Sequence, residues 1–396
     1  MTEDVLRVGA IADLSGVQST VVIRIIYAQT AYWDMVNANG GIAGRQVEFV
    51  VRDSNYDVAT HLEHYEMMRG TGPDGVVMIS HSTGLPHTAA IAEMAVGDNM
   101  AVIPLSWYSR WPDPDYGLNI FEQGSNYCYE AINGVDYMAA NLVAGDPKLA
   151  VISFPSEYGQ DGATGAKIAA AALGIEVVYD GEGAVIPGAD QTPVIAGLME
   201  SGANMVWATI SPPEFAEIFG GAGARGFMAQ WSGNSPTYKN MLLATPLAPL
   251  LDAYYTHSTY TLTWNTEGIS GLDSLKAEMS VRTPTLRVRD SYVQGWIEAQ
   301  AAHQALQRAA TNGDLTRAGV VQAFNQITVD HEGLAPNQSW GSDSNDTVVR
   351  ETYMYDIVLD NYVNGAVGEG GNTGNVLLKG PFASEITLSQ IYDGAC

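Results

Sequence analysis

The chain has 396 residues, with 18 Lys and Arg against 44 Asp and Glu, a formal charge of −26. That length exceeds what one hydrophobic core usually fills, so two domains of about 150–200 residues each are expected. A polyanion lacks the basic surface that displaces counterions from a phosphate backbone, which excludes a nucleic-acid partner, and no apolar run approaches the roughly 20 residues of a membrane-spanning helix.

Apolar, β-branched runs at 6–11, 47–51, 76–79 and 101–104 read as parallel strands buried on both faces. Helical spacing lies between them at 23–36, 58–68 and 86–96, and the alternation predicts one doubly wound domain. After 117–121 the pattern restarts with helix 128–142, strand 149–154, helix 163–172, strand 175–179, helix 191–199, strand 205–210, helix 213–220 and strand 227–231. Past Leu251 it changes. The aromatic, Thr-rich segment 254–261 reads as an extended crossing between lobes. Residues 291–310 form a long amphipathic helix with Trp296, Ala299, Ala302 and Leu306 along one side, and 316–324 form another. Alternation over 348–358 predicts a strand near the hinge. The expected division is 1–121 as the first part of lobe 1, 122–255 as the main part of lobe 2, and 256–340 as a return to lobe 1. Residues 341–396 then supply a hinge crossing, the edge of lobe 2 and a C-terminal tail.

Cys128 and Cys396 are the only cysteines. They are too few for a structural zinc site and form no Cys-x-x-Cys pair. Either they close one disulfide that ties the C-terminus to the body, or they stand apart as small hydrophobes. The first loop, Gly9-Ala10-Ile11-Ala12-Asp13, has one glycine where a dinucleotide fold has three, and neither HExxH nor GxSxG occurs. The seven histidines show no ligand spacing; His61 and His64 are placed on a surface helix. No enzyme activity, cofactor or metal site is expected.

Loops at the carboxyl ends of the strands supply the candidate binding residues. Ser82 and Thr83 follow the third strand and open a helix, where their hydroxyls and free backbone donors converge on an anion or simply cap the helix. Ser106, Trp107 and Tyr108 follow the fourth, with Arg110 and Trp111 close behind. Their rings offer a platform over the cleft or pack under the domain edge. Tyr158 faces them from the second lobe, either closing over a ligand or packing on Phe154 and Pro155. Ser211 and Asn234 stand at two further strand tips.

The Asp13-Leu14-Ser15-Gly16 loop, the stretch VNANGGIAG at 36–44 and Arg52-Asp53-Ser54 resemble the opening of type I periplasmic solute-binding proteins of ABC importers, above all the leucine, isoleucine and valine-binding group. Ser80-His81-Ser82-Thr83-Gly84, Tyr158-Gly159 and Gly188-Ala189-Asp190 extend the resemblance over about residues 5 to 360. It implies two Rossmann-like lobes joined by a three-crossing hinge, a ligand clamped between them, and delivery to an ABC permease. A monomer in the periplasm or another extracytoplasmic space is expected, with any signal segment absent from this chain. The resemblance also implies that Ser82 and Thr83 hold an amino acid's carboxylate and that Tyr158 closes over the ligand. Two departures stand out. Trp107 and Tyr108 are bulky where the family uses small residues, which shrinks an aliphatic pocket or makes a stacking site. Gly233 and Asn234 stand where amino-acid binders place an acid. Either another carboxylate, Glu214 or Glu157, meets the α-ammonium group, or the solute is an aromatic or small organic acid, an amide or a urea-like compound. A ligand sensor on the same fold is a further alternative.

Overall fold

The computed structural model describes residues 4–341 and 343–396. Strands β1 (Val5–Ala12), β2 (Gln46–Asp53), β3 (Met78–Thr83) and β4 (Ala101–Leu105) form a parallel sheet in the order β2-β1-β3-β4. Helices α1 (Ser19–Ala38), α2 (Val58–Arg69) and α3 (Leu85–Gly97) connect them. The second half repeats the scheme with α4 (Tyr127–Asn141), β5 (Lys148–Ser153), α5 (Glu157–Leu173), β6 (Glu176–Gly181), α6 (Thr192–Ser201), β7 (Met205–Thr209), α7 (Pro212–Gly223) and β8 (Gln230–Gly233). Its parallel sheet runs β6-β5-β7-β8, the same strand order as the first. Two copies of one topology therefore aim the loops at their strands' carboxyl ends toward a shared space, as open α/β sheets do.

After α8 (Ala248–Tyr254) and β9 (Thr256–Thr259), the chain returns to lobe 1 as α9 (Ser270–Arg282), α10 (Ser291–Thr311) and α11 (Arg317–Phe324). The short pair β10 (Thr328–Val329) and β11 (Gln338–Ser339) and helix α12 (Ser344–Thr347) precede β12 (Thr352–Ile357), β13 (Asn375–Phe382) and α13 (Glu385–Ser389). β12 lies between β9 and β13 in an antiparallel sheet, the strand expected near the hinge. Three passages thus join the lobes. Gln338 ties the third to the first: it accepts from Gly124 N at 2.7 Å and donates to Glu122 at 3.3 Å.

One core runs from β1 and β3 through α1 to α10, whose Trp296, Ala299, Ala302 and Leu306 are all fully buried. Lobe 2 builds cores on both faces of its sheet, one around Phe215, Phe219 and Trp231 and the other around Ile132, Ala166 and Trp207. Cys128 and Cys396 are bonded, with Cα atoms 6.2 Å apart, so the tail is stapled to the first turn of α4. Among the described residues no helix is long and apolar enough to cross a membrane.

The third strand differs from its expected position at 76–79: it occupies Met78–Thr83. Its last four residues are polar, which hides them from an apolar-run reading, yet all are buried. The register of β3 slips by one residue against both β1 and β4 at Ser80 and His81, and such a bulge re-aims side chains. Ser80 donates to Gln29 on α1 at 2.9 Å, and His81 bridges Glu298 on α10 (2.8 Å) and Thr83 (2.7 Å). His61 is likewise not on a solvent face. With Tyr65 and Met68 it forms an i, i+4, i+7 row turned onto the sheet, where its Nε2 meets Ser82 Oγ at 3.1 Å.

Candidate ligand-binding cleft

The lobe 1 side of the cleft begins with Asp13, just beyond β1. Its carboxylate accepts from Gly16 N and from Gln18 N at 2.7 Å, so its two oxygens hold the turn that leads into α1. Ser82 and Thr83 end β3 instead of opening α3; the helix starts after Gly84, whose φ of +93° favours glycine. Strand alternation sends the two hydroxyls to opposite faces of the sheet. Ser82 Oγ lies 3.1 Å from His61 Nε2 and 2.8 Å from Thr88 Oγ1. Thr83 Oγ1 accepts from Asp13 N at 3.3 Å and meets His81 at 2.7 Å. Both are fully buried, and their hydrogen bonds stay within lobe 1.

Beyond β4, Ser106 Oγ accepts from Trp111 Nε1 at 3.2 Å. Trp107 is 6% exposed and donates its indole N–H to Gln123 O at 2.6 Å. Tyr108 meets Trp111 edge-on at 5.8 Å, while the Arg110 guanidinium lies over Tyr116 at 4.2 Å. Ser109 turns to the other lobe: its N–H and hydroxyl both donate to Asp161 on α5, the former at 2.9 Å. Burial pushes the Asp161 carboxyl up to about 7, against the pull of those two bonds.

From lobe 2, Tyr158 lies in the first turn of α5, which starts six residues earlier than the expected 163. Its hydroxyl donates to Ile210 O at 3.0 Å, and its ring packs against apolar clusters of lobe 1. The Tyr127 ring stands 4.6 Å from it and 5.9 Å from Trp107; Trp107 in turn lies 4.5 Å from Tyr260. Trp107 from lobe 1, Tyr158 from lobe 2, and Tyr127 and Tyr260 at two of the passages thus form one continuous aromatic group. Sequence reasoning nominated Trp107 and Tyr158 and missed the other two, although Tyr260 sits in the Thr-rich crossing segment that was itself recognised.

Ser211 donates to Glu214, and Glu214 also accepts from Gly188 N at 3.1 Å. That carboxylate is therefore spent on the loop before α6, and Glu157 is exposed at the start of α5. Asn234 is fully buried with its amide saturated. Its oxygen accepts from Trp207 Nε1 (3.2 Å) and Thr209 Oγ1 (2.8 Å), and its nitrogen donates to Tyr127 O (2.8 Å) and Glu130 (2.9 Å). Gly162 makes room for it: a Cβ there would stand 2.3 Å from Asn234 Oδ1. Behind Asn234 lies Glu130, an acid absent from the sequence-based candidates because it is more than 100 residues away in the chain. It accepts from Asn234, from Ser235 N (2.9 Å) and from Ser258 Oγ (3.0 Å). Burial drives it up to about 7, and those three bonds only partly oppose the rise.

Between the lobes, beside β9, a polar recess is lined by Lys239, Tyr238 and Ser235 from lobe 2, His257 from the crossing, and Arg289, Asp290 and Gln294 at the start of α10. None of these was nominated from sequence. Nothing in the local pattern distinguishes the single Lys of Thr237-Tyr238-Lys239-Asn240 from a solvated loop residue.

A bilobed α/β protein with matching parallel sheets, a three-passage hinge and an interlobe cleft has the architecture of a solute-binding protein. The periplasmic binding protein family matches residues 5–361, and the chain belongs to it. Its fold is similar to that of a fatty acid ABC transporter substrate-binding protein from Thermomonospora curvata, at 26% identity and a TM-score of 0.87, covering 100% of this chain and 97% of that one. It is also similar to a branched-chain amino acid ABC transporter protein from Thermus thermophilus with bound valine (19% identity, TM-score 0.78, 97% of each chain). A solute-binding protein of an ABC transporter from R. palustris in complex with benzoate is a third (16%, 0.74, 96% of this chain and 98% of that one). No curated protein matches the chain.

Proposed function

We propose that the protein captures a small organic acid between its lobes and presents the closed form to an ABC permease, acting as a monomer outside the cytoplasm and without turnover of the solute. The observation that carries this reading is the aromatic group Trp107, Tyr127, Tyr158 and Tyr260, which draws rings from both lobes and two passages into one wall. Closure removes the solute from water and strengthens each of its hydrogen bonds, and the closed shape differs from the open one in a way a permease can read. An amino acid is the first expectation from the family, and the valine-bound relative supports it. The site's own carboxylates favour an acid without an α-ammonium group. An ammonium needs an anionic partner, and Asp13, Glu130 and Glu214 already accept bonds on both oxygens. The relatives named for fatty acid and for benzoate support that choice.

The test is calorimetric titration with benzoate, hexanoate and valine against the wild type and Tyr158→Ala. Truncating a ring that spans the lobes should weaken the tightest of these by about 10–100-fold. Unchanged affinity in a folded variant removes Tyr158 from the site, and valine binding well ahead of both acids overturns the organic-acid assignment.

A further inference from the structure

We propose that the recess around Lys239 is the subsite that holds the solute's anionic head, a carboxylate. The inference rests on the capture reading above and assigns a chemistry to one end of its cleft. Both lobes and the second passage meet there, so a group held in it touches every part that moves on closure.

Four observations converge. Lys239 Nζ donates to Ser235 O at 3.0 Å, and among the described residues no carboxylate lies within ion-pair distance of it, in a chain whose acids outnumber its Lys and Arg 44 to 18. An ammonium has three donors, so two remain for a guest. Around it stand buried polar atoms with no partner: Tyr238 Oη and Ser235 Oγ, each on a residue 1% exposed, and His257 Nδ1 on a residue 6% exposed. Buried polar groups are normally paired, and three orphans lining one recess mark a place for a polar guest.

The charges facing Lys239 leave the recess cationic. Arg289 lines it with its Nε unpartnered, and the one acid of the lining, Asp290, turns its oxygens to Trp264 N (2.8 Å) and Asn375 Nδ2 (2.7 Å), so two basic groups face a single carboxyl there. Glu130, the other nearby acid, is pushed up to about 7 by burial and so carries less than a full charge near neutrality. Burial lowers Lys239 to about 8 against the pull of Asp290 and Glu130, which leaves it protonated at neutral pH. His257 is driven down to about 3 by burial and stays neutral, able to donate or accept. The recess is also narrow, a cavity of about 20 Å³ within reach of a water's centre. That admits a head group of a few atoms, and the rest of the solute must lie along the cleft.

Matched acid and amide pairs test this: acetate with acetamide, hexanoate with hexanamide, and benzoate with benzamide, titrated against wild type, Lys239→Met, Lys239→Arg and Tyr238→Phe. In the wild type the acid of the best pair should bind at least about 10-fold tighter than its amide. Lys239→Met should erase that preference, Lys239→Arg should keep part of it, and Tyr238→Phe, which removes one orphan hydroxyl, should weaken the acid without lowering the melting temperature. A preference that survives in Lys239→Met overturns the assignment, as does a wild type that binds no acid ahead of its amide. Scattering on the same samples separates this from the parent reading. Lobes that close equally on amides sink the carboxylate subsite and leave capture standing, whereas Lys239-dependent acid binding without closure does the reverse.

Discussion

Glu130→Gln tests how the floor of the cleft is held together. In the native state Glu130 titrates near 7 because burial opposes its charge, against 4.5 for a free glutamate. The folded protein therefore holds a proton that the unfolded chain has already released between those values. A raised carboxyl contributes stability that is fully present below about pH 4.5 and is lost as pH rises through about 7. The gap of about 2.5 units corresponds to about 3 kcal/mol. Glutamine does not titrate: its oxygen in place of Oε2 still accepts from Asn234 Nδ2, and its amide nitrogen in place of Oε1 donates to the Ser258 hydroxyl. Urea unfolding of wild type and variant at about pH 4.5 and about pH 8 isolates the contribution, because the buried histidines and the other raised acids, Asp161 and Glu122, cancel in the difference. The variant should gain about 3 kcal/mol on the wild type over that interval. A difference that stays flat to within about 0.5 kcal/mol would mean that the bonds from Asn234, Ser235 and Ser258 keep Glu130 ionised and that burial does not govern it.

Other outcomes follow from the same structure. Cys396→Ser, or reductant on the wild type, should cost about 2–5 kcal/mol of stability, since the Cys128–Cys396 bridge spans 268 positions and long loops gain most from closure; a thermal melt unchanged by reductant contradicts this. Gly162→Ala should destabilise by about 2 kcal/mol or more, because the new methyl displaces the buried Asn234 and Thr209 oxygens that a Cβ would approach to 2.3 Å. A wild-type urea midpoint in that variant would show that α5 can shift without loss.

The sequence made the two sheets readable because parallel strands buried on both faces are uniform apolar runs, and helices fall between them at regular spacing. It concealed the end of β3 because Ser80, His81, Ser82 and Thr83 are buried through hydrogen bonds from α1, α2, α3 and α10, which no apolar pattern records. The segment carrying α9 and the edge strand β13 lacked a clear period; β13 is exposed along most of its length, so its sequence need not alternate. At the cleft, Trp107 and Tyr158 could be nominated because each follows a strand end. Ser82, Thr83 and Asn234 could be nominated as well, but sequence could not reveal that their polar groups are already engaged inside a lobe. Glu130, Tyr238 and Lys239 reach the site only because two lobes fold against a common hinge. That pairing joins residues more than 100 positions apart, and one sequence has no local signal for it.

Small-angle scattering of the protein with and without a saturating organic acid measures the central claim most directly. Capture between the lobes predicts a smaller radius of gyration with solute than without, and a smaller change in Tyr158→Ala at equal concentration. An unchanged radius with an acid shown by calorimetry to bind would contradict capture by closure.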